Sequence, residues 1–110
     1  FGSTFFNVQR VSEQRVPGRC MLACSRNGVH FLHPKTHEVQ MFLPLNEILS
    51  TRRTAAEGNF PCLDIKYGDL MRQKITRLET EQSADIENLV GQYISITNSL
   101  KAYSTTHSQN

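Results

Sequence analysis

One change of hydrophobic period, near residue 80, constrains this chain more than any other feature. Before it, short runs of β-forming residues are cut by turn signals at regular intervals, which is the pattern of a barrel or sandwich. After it, Ile86, Leu89, Val90, Tyr93, Ile94, Thr97 and Leu100 recur at helical spacing and make one apolar stripe. A mainly β domain closed by one C-terminal helix is therefore expected.

The strands can be placed one by one. Phe5 to Val11 is rich in β-formers and runs into a Pro-Gly-containing loop, Ser12 to Gly18. Cys20 to Ser25 joins Val29 to Leu32 through Asn27-Gly28, which supplies the positive φ angles that a tight hairpin demands. His33-Pro34-Lys35-Thr36 is a further turn, and Glu38 to Leu43 a fourth strand. Beyond Pro44, Leu45 to Thr54 is the fifth segment. Leu63, Ile65 and Tyr67 then alternate with Asp64 and Lys66, and after the Gly68-Asp69 turn Met71 to Leu78 completes seven strands. Thr80 or Ser83 is placed to cap the helix, with Glu81, Asp85 and Glu87 near its positive end. The expected domain is 1–103, followed by a disordered polar tail, 104–110.

Composition narrows the chemistry. With 110 residues, 38% hydrophobic and 20% charged, the chain suits one folded domain. A net charge of +2 is too small to draw in nucleic acid by long-range attraction. Cys20, Cys24 and Cys62 are an odd number and point to reduced thiols in the cytoplasm. No apolar run approaches the roughly 20 residues of a spanning helix. No metal site is expected, because Cys20 and Cys24 stand roughly 13 Å apart on one strand and His33 and His37 have no Cys-x-x-Cys pair to join. No catalytic residues and no cofactor are assigned, since nothing pairs a nucleophile with a base and an orienting group, and Gly28, Gly58 and Gly68 are isolated turn glycines. Phe5, Phe6, Phe31, Phe42, Phe60, Tyr67 and Tyr93 are expected in the core.

Seven strands and a helix describe a PH/PTB-like barrel capped by a helix, and the residues resemble a particular version of it. Val29-His30-Phe31-Leu32-His33-Pro34-Lys35-Thr36-His37-Glu38, Pro44-Leu45-Asn46-Glu47-Ile48 and Leu63-Asp64-Ile65-Lys66-Tyr67-Gly68-Asp69, in that order, are similar to the third, C-terminal lobe of a FERM domain. Thr80-Glu81-Gln82 followed by Ile86, Leu89-Val90 and Tyr93-Ile94 is similar to that lobe's closing helix. The likeness runs from about Thr4 to Leu100. The loop Val16 to Cys20 and the run Pro44 to Arg53 are most similar to unconventional-myosin tails that carry a myosin-tail-homology domain before the FERM domain, of class XV first and VII or X next. The resemblance implies a cytoplasmic, cytoskeleton-associated cargo or adaptor lobe that is not an enzyme and whose neighbours include other FERM lobes.

In a barrel of this kind a partner's tail or adaptor peptide can add to the edge of the fifth strand beside the helix. The expected peptide-binding residues are Leu49, Ser50, Thr51, Arg52 and Arg53 on the strand, and Glu87, Gly91, Ile94 and Asn98 on the helix flank. Arg52 and Arg53 suit acidic or phosphorylated groups. Gly91 suggests a close approach, because Gly inside a helix costs roughly 1 kcal/mol relative to Ala. Thr51 stands where talin-type lobes carry a bulky aromatic, which weighs against integrin-type tails. The alternatives are an anionic-phospholipid site built from Lys66, Arg72, Lys74 and Arg77, or a purely structural lobe.

Overall fold

The computed structural model describes residues 2–56 and 58–108, with side chains as far as 103. Its elements in chain order are β1 (Thr4–Val8), β2 (Arg10–Val11), β3 (Cys20–Ser25), β4 (Gly28–Leu32), β5 (Val39–Pro44), β6 (Ile48–Thr54), β7 (Cys62–Gly68), β8 (Gln73–Glu79) and α1 (Ser83–Ser108). They form two antiparallel four-stranded sheets, in the orders β1-β3-β4-β5 and β2-β8-β7-β6. The fold class expected from sequence is the one observed, with eight strands in place of seven.

The extra strand arises because the Phe5 to Val11 run divides at Gln9. Phe6 and Val8 point into the core from the first sheet; past Gln9, whose N–H donates to the Glu79 carbonyl at 2.8 Å, Val11 points in from the second. A strand that changes sheets in this way turns one corner of the barrel. The fifth segment is also shorter than expected, since Leu45–Glu47 is a single 3-10 turn and the strand starts at Ile48. Likewise β8 starts at Gln73 rather than Met71, because the Asp69 carboxylate takes the N–H groups of Met71 and Arg72 into a turn.

Local chemistry explains the remaining joints. Gly28 has φ 137°, and a β-carbon there would run into the Leu43 carbonyl on the adjoining strand, so the Asn27-Gly28 hairpin needs glycine for conformation and for space. The Pro34 turn closes by His33 N–H to Glu38 O at 2.8 Å, while the His33 ring accepts the N–H groups of Lys35 and Thr36 at Nδ1.

The core lies between the sheets and is sealed by the helix. Leu22, Phe31, Leu63, Ile65 and Leu78 come from the strands, and Ile86 and Val90 are the two helix side chains that are fully enclosed with them. Leu89, Tyr93 and Ile94 pack half-buried against this cluster. Removing the Phe31 ring would cost about 3–5 kcal/mol by loss of burial and by the cavity left. Three of the aromatic assignments fail: Phe5 (56% exposed) and Phe42 (40% exposed) lie on the outer face of the first sheet, and Phe60 is half-buried outside the core cluster. Phe5 and Phe42 each sit at the position of their strand that alternation points away from the core.

The N-terminal joint of the helix is tied to the first strand. Thr80 is fully buried; its hydroxyl donates to the Asn7 carbonyl at 2.8 Å and accepts the N–H of Gln82 at 3.1 Å. Asn7 in turn donates its N–H to Gln82 Oε1 at 3.1 Å. The helix runs on to Ser108, into the 104–110 segment read from sequence as a tail; residues 109 and 110 lie outside the described part.

Candidate functional site

β6 is an edge strand. It pairs with β7 on one side, from Ile48 opposite Tyr67 to Thr54 opposite Cys62, with a bulge between Ile48 and Ser50. The helix packs against β6 as well as β3 and β7, so α1 lies next to this strand. A strand edge beside a helix offers a row of backbone donors and acceptors with a side-chain wall along it.

Strand alternation sorts the expected residues into two groups. Thr51 and Arg53 stand opposite the buried Ile65 and Leu63 and so share the helix-facing side, whereas Ser50 and Arg52 stand opposite Lys66 and Asp64 on the outer face of the sheet. Leu49 falls in the bulge and is exposed. The five do not act as one surface; only their backbone does.

On the helix, Glu87 and Ile94 are half-buried while Gly91 and Asn98 are exposed. Arg53 Nε lies 3.0 Å from Glu87 Oε1, an ion pair that ties the strand to the first turns of the helix. Sequence reasoning named both residues without anticipating that they meet. Their side chains are 58% and 26% exposed, so the pair contributes well under about 1 kcal/mol and can open for an incoming group at little cost. The close approach expected at Gly91 is absent within the chain: a β-carbon there would meet nothing within 4 Å. Gly91 is thus an open notch on the helix surface.

The four basic residues of the lipid alternative do not form one face. Lys66 is opposite Ile75 and Lys74 opposite Tyr67, so the two lysines project from opposite sides of the sheet. Arg77 is held by Asp64 through two hydrogen bonds, Nε to Oδ1 at 2.7 Å and Nη2 to Oδ2 at 3.0 Å. Arg72 lies in the β7–β8 turn. Two shallow depressions that sequence reasoning did not name occur at the far pole of the first sheet and share Arg19 and Pro34 as a common wall. They adjoin the loops after β2 and β4 rather than β6.

Cys20, Cys24 and Cys62 are free and buried. Burial pushes Cys20 up to about 11 and Cys24 up to about 12, which leaves no thiolate near neutrality. Among the described residues no group of three His, Cys, Asp or Glu side chains is placed to hold a metal ion, and no helix is long and apolar enough to cross a membrane.

Comparison with known proteins agrees with this architecture. The model of the PTB domain (IRS-1 type) family matches residues 6–98. Human unconventional myosin-XV is 38% identical over 96 residues, covering 86% of this chain and 3% of that protein; mouse unconventional myosin-VIIb is 40% identical over 94 residues, covering 86% and 4%. The chain thus spans only a small part of the curated relatives it matches. Among solved structures, the human myosin 7b C-terminal MyTH4-FERM domain in complex with the harmonin-a PDZ3 domain superposes with a TM-score of 0.66 at 27% identity, covering 88% of this chain and 18% of that one. A Dictyostelium discoideum myosin VII MyTH4-FERM MF2 domain gives 0.67 at 27% identity, covering 86% and 18%. The chain belongs to the family of PTB domains of the IRS-1 type, in the form that closes the FERM domains of unconventional-myosin tails.

Proposed function

We propose that this lobe is a cargo-binding or adaptor module that receives an extended peptide from a partner protein along β6, with α1 as the opposite wall. The observation that carries this reading is the one-sided pairing of β6 next to the helix. A peptide added as a further strand would take its affinity from the backbone of Leu49 to Arg53, and its side chains would alternate toward the Thr51–Arg53 side, with Gly91, Ile94 and Asn98 beyond, and toward Ser50 and Arg52 outside. Arg53 would exchange Glu87 for an acidic group of the peptide. That a related MyTH4-FERM domain was solved with a PDZ domain supports a protein as partner. The same reading places the lobe in the cytoplasm, on the cytoskeleton, in a non-catalytic role.

The test is a selection of phage-displayed linear peptides on the immobilised chain, followed by titration of a selected peptide into isotope-labelled protein. Amide shifts are expected over Ile48 to Thr54 and Glu87 to Asn98. Shifts confined to the first sheet or to the β7–β8 hairpin would overturn the site.

A second role, packing against a neighbouring lobe, is favoured by the outer face of the first sheet. Phe5, Ala23, His30 and Phe42 lie in register across all four strands, and His30 stacks on Phe42 with ring centroids 4.1 Å apart. The next row is Asn7, Met21, Leu32 and Val39. None of the eight is Asp, Glu, Lys or Arg, which suits a lasting contact more than a transient one.

A further inference from the structure

Gln40 is the extra residue of a β-bulge: Phe31 pairs with Met41 and Leu32 with Val39, which leaves Gln40 without an opposite number on β4. A bulge re-aims a side chain. Here the side chain is half-buried, and its Oε1 is closed off from solvent with no donor to accept from. A buried carbonyl oxygen left unanswered destabilises the fold, so its place asks for a reason. Nε2 makes no hydrogen bond to the described residues either, and a half turn about the last, soft torsion of Gln40 exchanges the two atoms without breaking any protein contact.

Gln40 lines a depression of about 470 Å³, parted from a second of about 290 Å³ by the wall that Arg19 and Pro34 share. Neither is lined by Asp or Glu. Arg19 and Lys35 both border the first, and among the described residues neither forms an ion pair. His33 adds a donor, because its Nδ1 already accepts the N–H groups of Lys35 and Thr36 at 3.1 and 3.2 Å and the neutral ring therefore carries its proton on Nε2. Both loops are held in place: Arg19 stands between the buried Val16 and Cys20, and the His37 N–H closes onto the His33 carbonyl at 3.0 Å.

Cations beside an acceptor in want of a donor specify a ligand that brings an anion and an N–H group together. A bare anion leaves Gln40 Oε1 unanswered, and a neutral amide leaves Arg19 and Lys35 so. The end of a polypeptide has both, since the α-carboxylate and the amide N–H of the last residue share one α-carbon. Pro17 and Pro34 are apolar walls for its side chain, and the depression beyond Arg19, bordered by Asn7 and Gln9, takes the residues before it. We propose that this pole of the first sheet captures the free C-terminus of a partner polypeptide, with Arg19 and Lys35 on the α-carboxylate and Gln40 Oε1 accepting the last amide N–H. The site lies at the loops after β2 and β4 and does not depend on the β6 reading.

The probe is a set of N-acetylated pentapeptides that differ in their last residues, each made both as the free acid and as the C-terminal amide. Titrated into the isotope-labelled chain, free acids are expected to shift the Arg19 Nε–H, the Gln40 side-chain amide and the backbone amides of Gly18 and Lys35, while the amidated forms leave them in place. Arg19→Gln should weaken binding at least ~tenfold by removing a charge-assisted pair, and Gln40→Leu ~threefold to tenfold. In the free chain Gln40→Leu should leave Tm unchanged or raise it, because the oxygen it removes has no partner to lose. Equal response to acid and amide, shifts lying along Ile48 to Thr54 instead, no response to any free acid at millimolar concentration, or a fall in Tm for Gln40→Leu would each overturn the proposal. A response to inorganic phosphate or to inositol hexakisphosphate larger than that to the peptides would overturn it in favour of a phosphate ligand. Peptides joined to a phage coat protein through their last residue have no free carboxylate, so selection on β6 is read separately and survives or fails without reference to this pole.

Discussion

Cys20 and Cys24 lie on the core face of β3 and are buried as neutral thiols. Because burial raises their folded values from 9.0 to about 11 and about 12, the unfolded chain ionises first as pH rises. Their stabilising contribution is therefore whole below about pH 9 and is lost as pH climbs through the folded values, so denaturation midpoints should fall across that window. Alkylation at pH 8 should be slow in the folded protein and complete once it is unfolded, as mass spectrometry would show. Gly91 permits a sharper separation. With open space around its α-carbon, Gly91→Ala should raise stability by about 0.5–1 kcal/mol through helix propensity alone. If a peptide runs along that flank, the same substitution should weaken its binding, and a gain in Tm without any loss of affinity would remove Gly91 from the site.

The elements were readable from sequence where one physical signal dominated. Asn27-Gly28 marked its hairpin, although Gly28 alone takes a positive φ and the loop itself is Arg26-Asn27 between the paired Ser25 and Gly28, and Ile86 and Val90 marked the buried side of the helix because nothing competes with a period near 3.6. The break at Gln9 was missed although its trace is present: inward residues run 6, 8 and then 11, a change of parity that signals a strand leaving one sheet for the other. The candidate site was readable as a segment but not as side chains, because the bulge after Ile48 shifts the alternation and settles which of Ser50 to Arg53 face the helix. The Arg53–Glu87 pair joins residues far apart in sequence, and no local rule connects them. Thr80 shows how much one joint can carry. Thr80→Val preserves shape but strips the Asn7 carbonyl and the Gln82 N–H of their partner, and should cost about 1–3 kcal/mol in chemical denaturation.

For the molecule as a whole, the outer face of the first sheet is the feature least like an ordinary solvated surface. Phe5 and Phe42 lie at the two ends of one cross-strand row, on the edge strands β1 and β5. The chain as a free species should therefore associate as its concentration rises, and Phe5→Ser with Phe42→Ser should reduce that tendency in sedimentation while leaving the enclosed core and the β6 groove unaltered. Equal sedimentation of the two proteins over the whole range would show that the face is indifferent to exposure.

The knot made by Asn7, Gln9, Thr80 and Gln82 has a consequence for how such a lobe comes into being. Its two side-chain hydrogen bonds to Asn7 close loops of 73 and 75 residues, so β1, which pairs along its length with the nearby β3, gains this second set of ties, and β2 its partner β8, only after nearly all of the lobe has been made. On a ribosome the Gln9 to Val11 corner must wait for β8 and the residues that follow it. The first sheet, complete within residues 4–44, can thus form early, whereas closure of the barrel onto the second sheet is late, and a nascent lobe stalled between the two would be the form most in need of a chaperone.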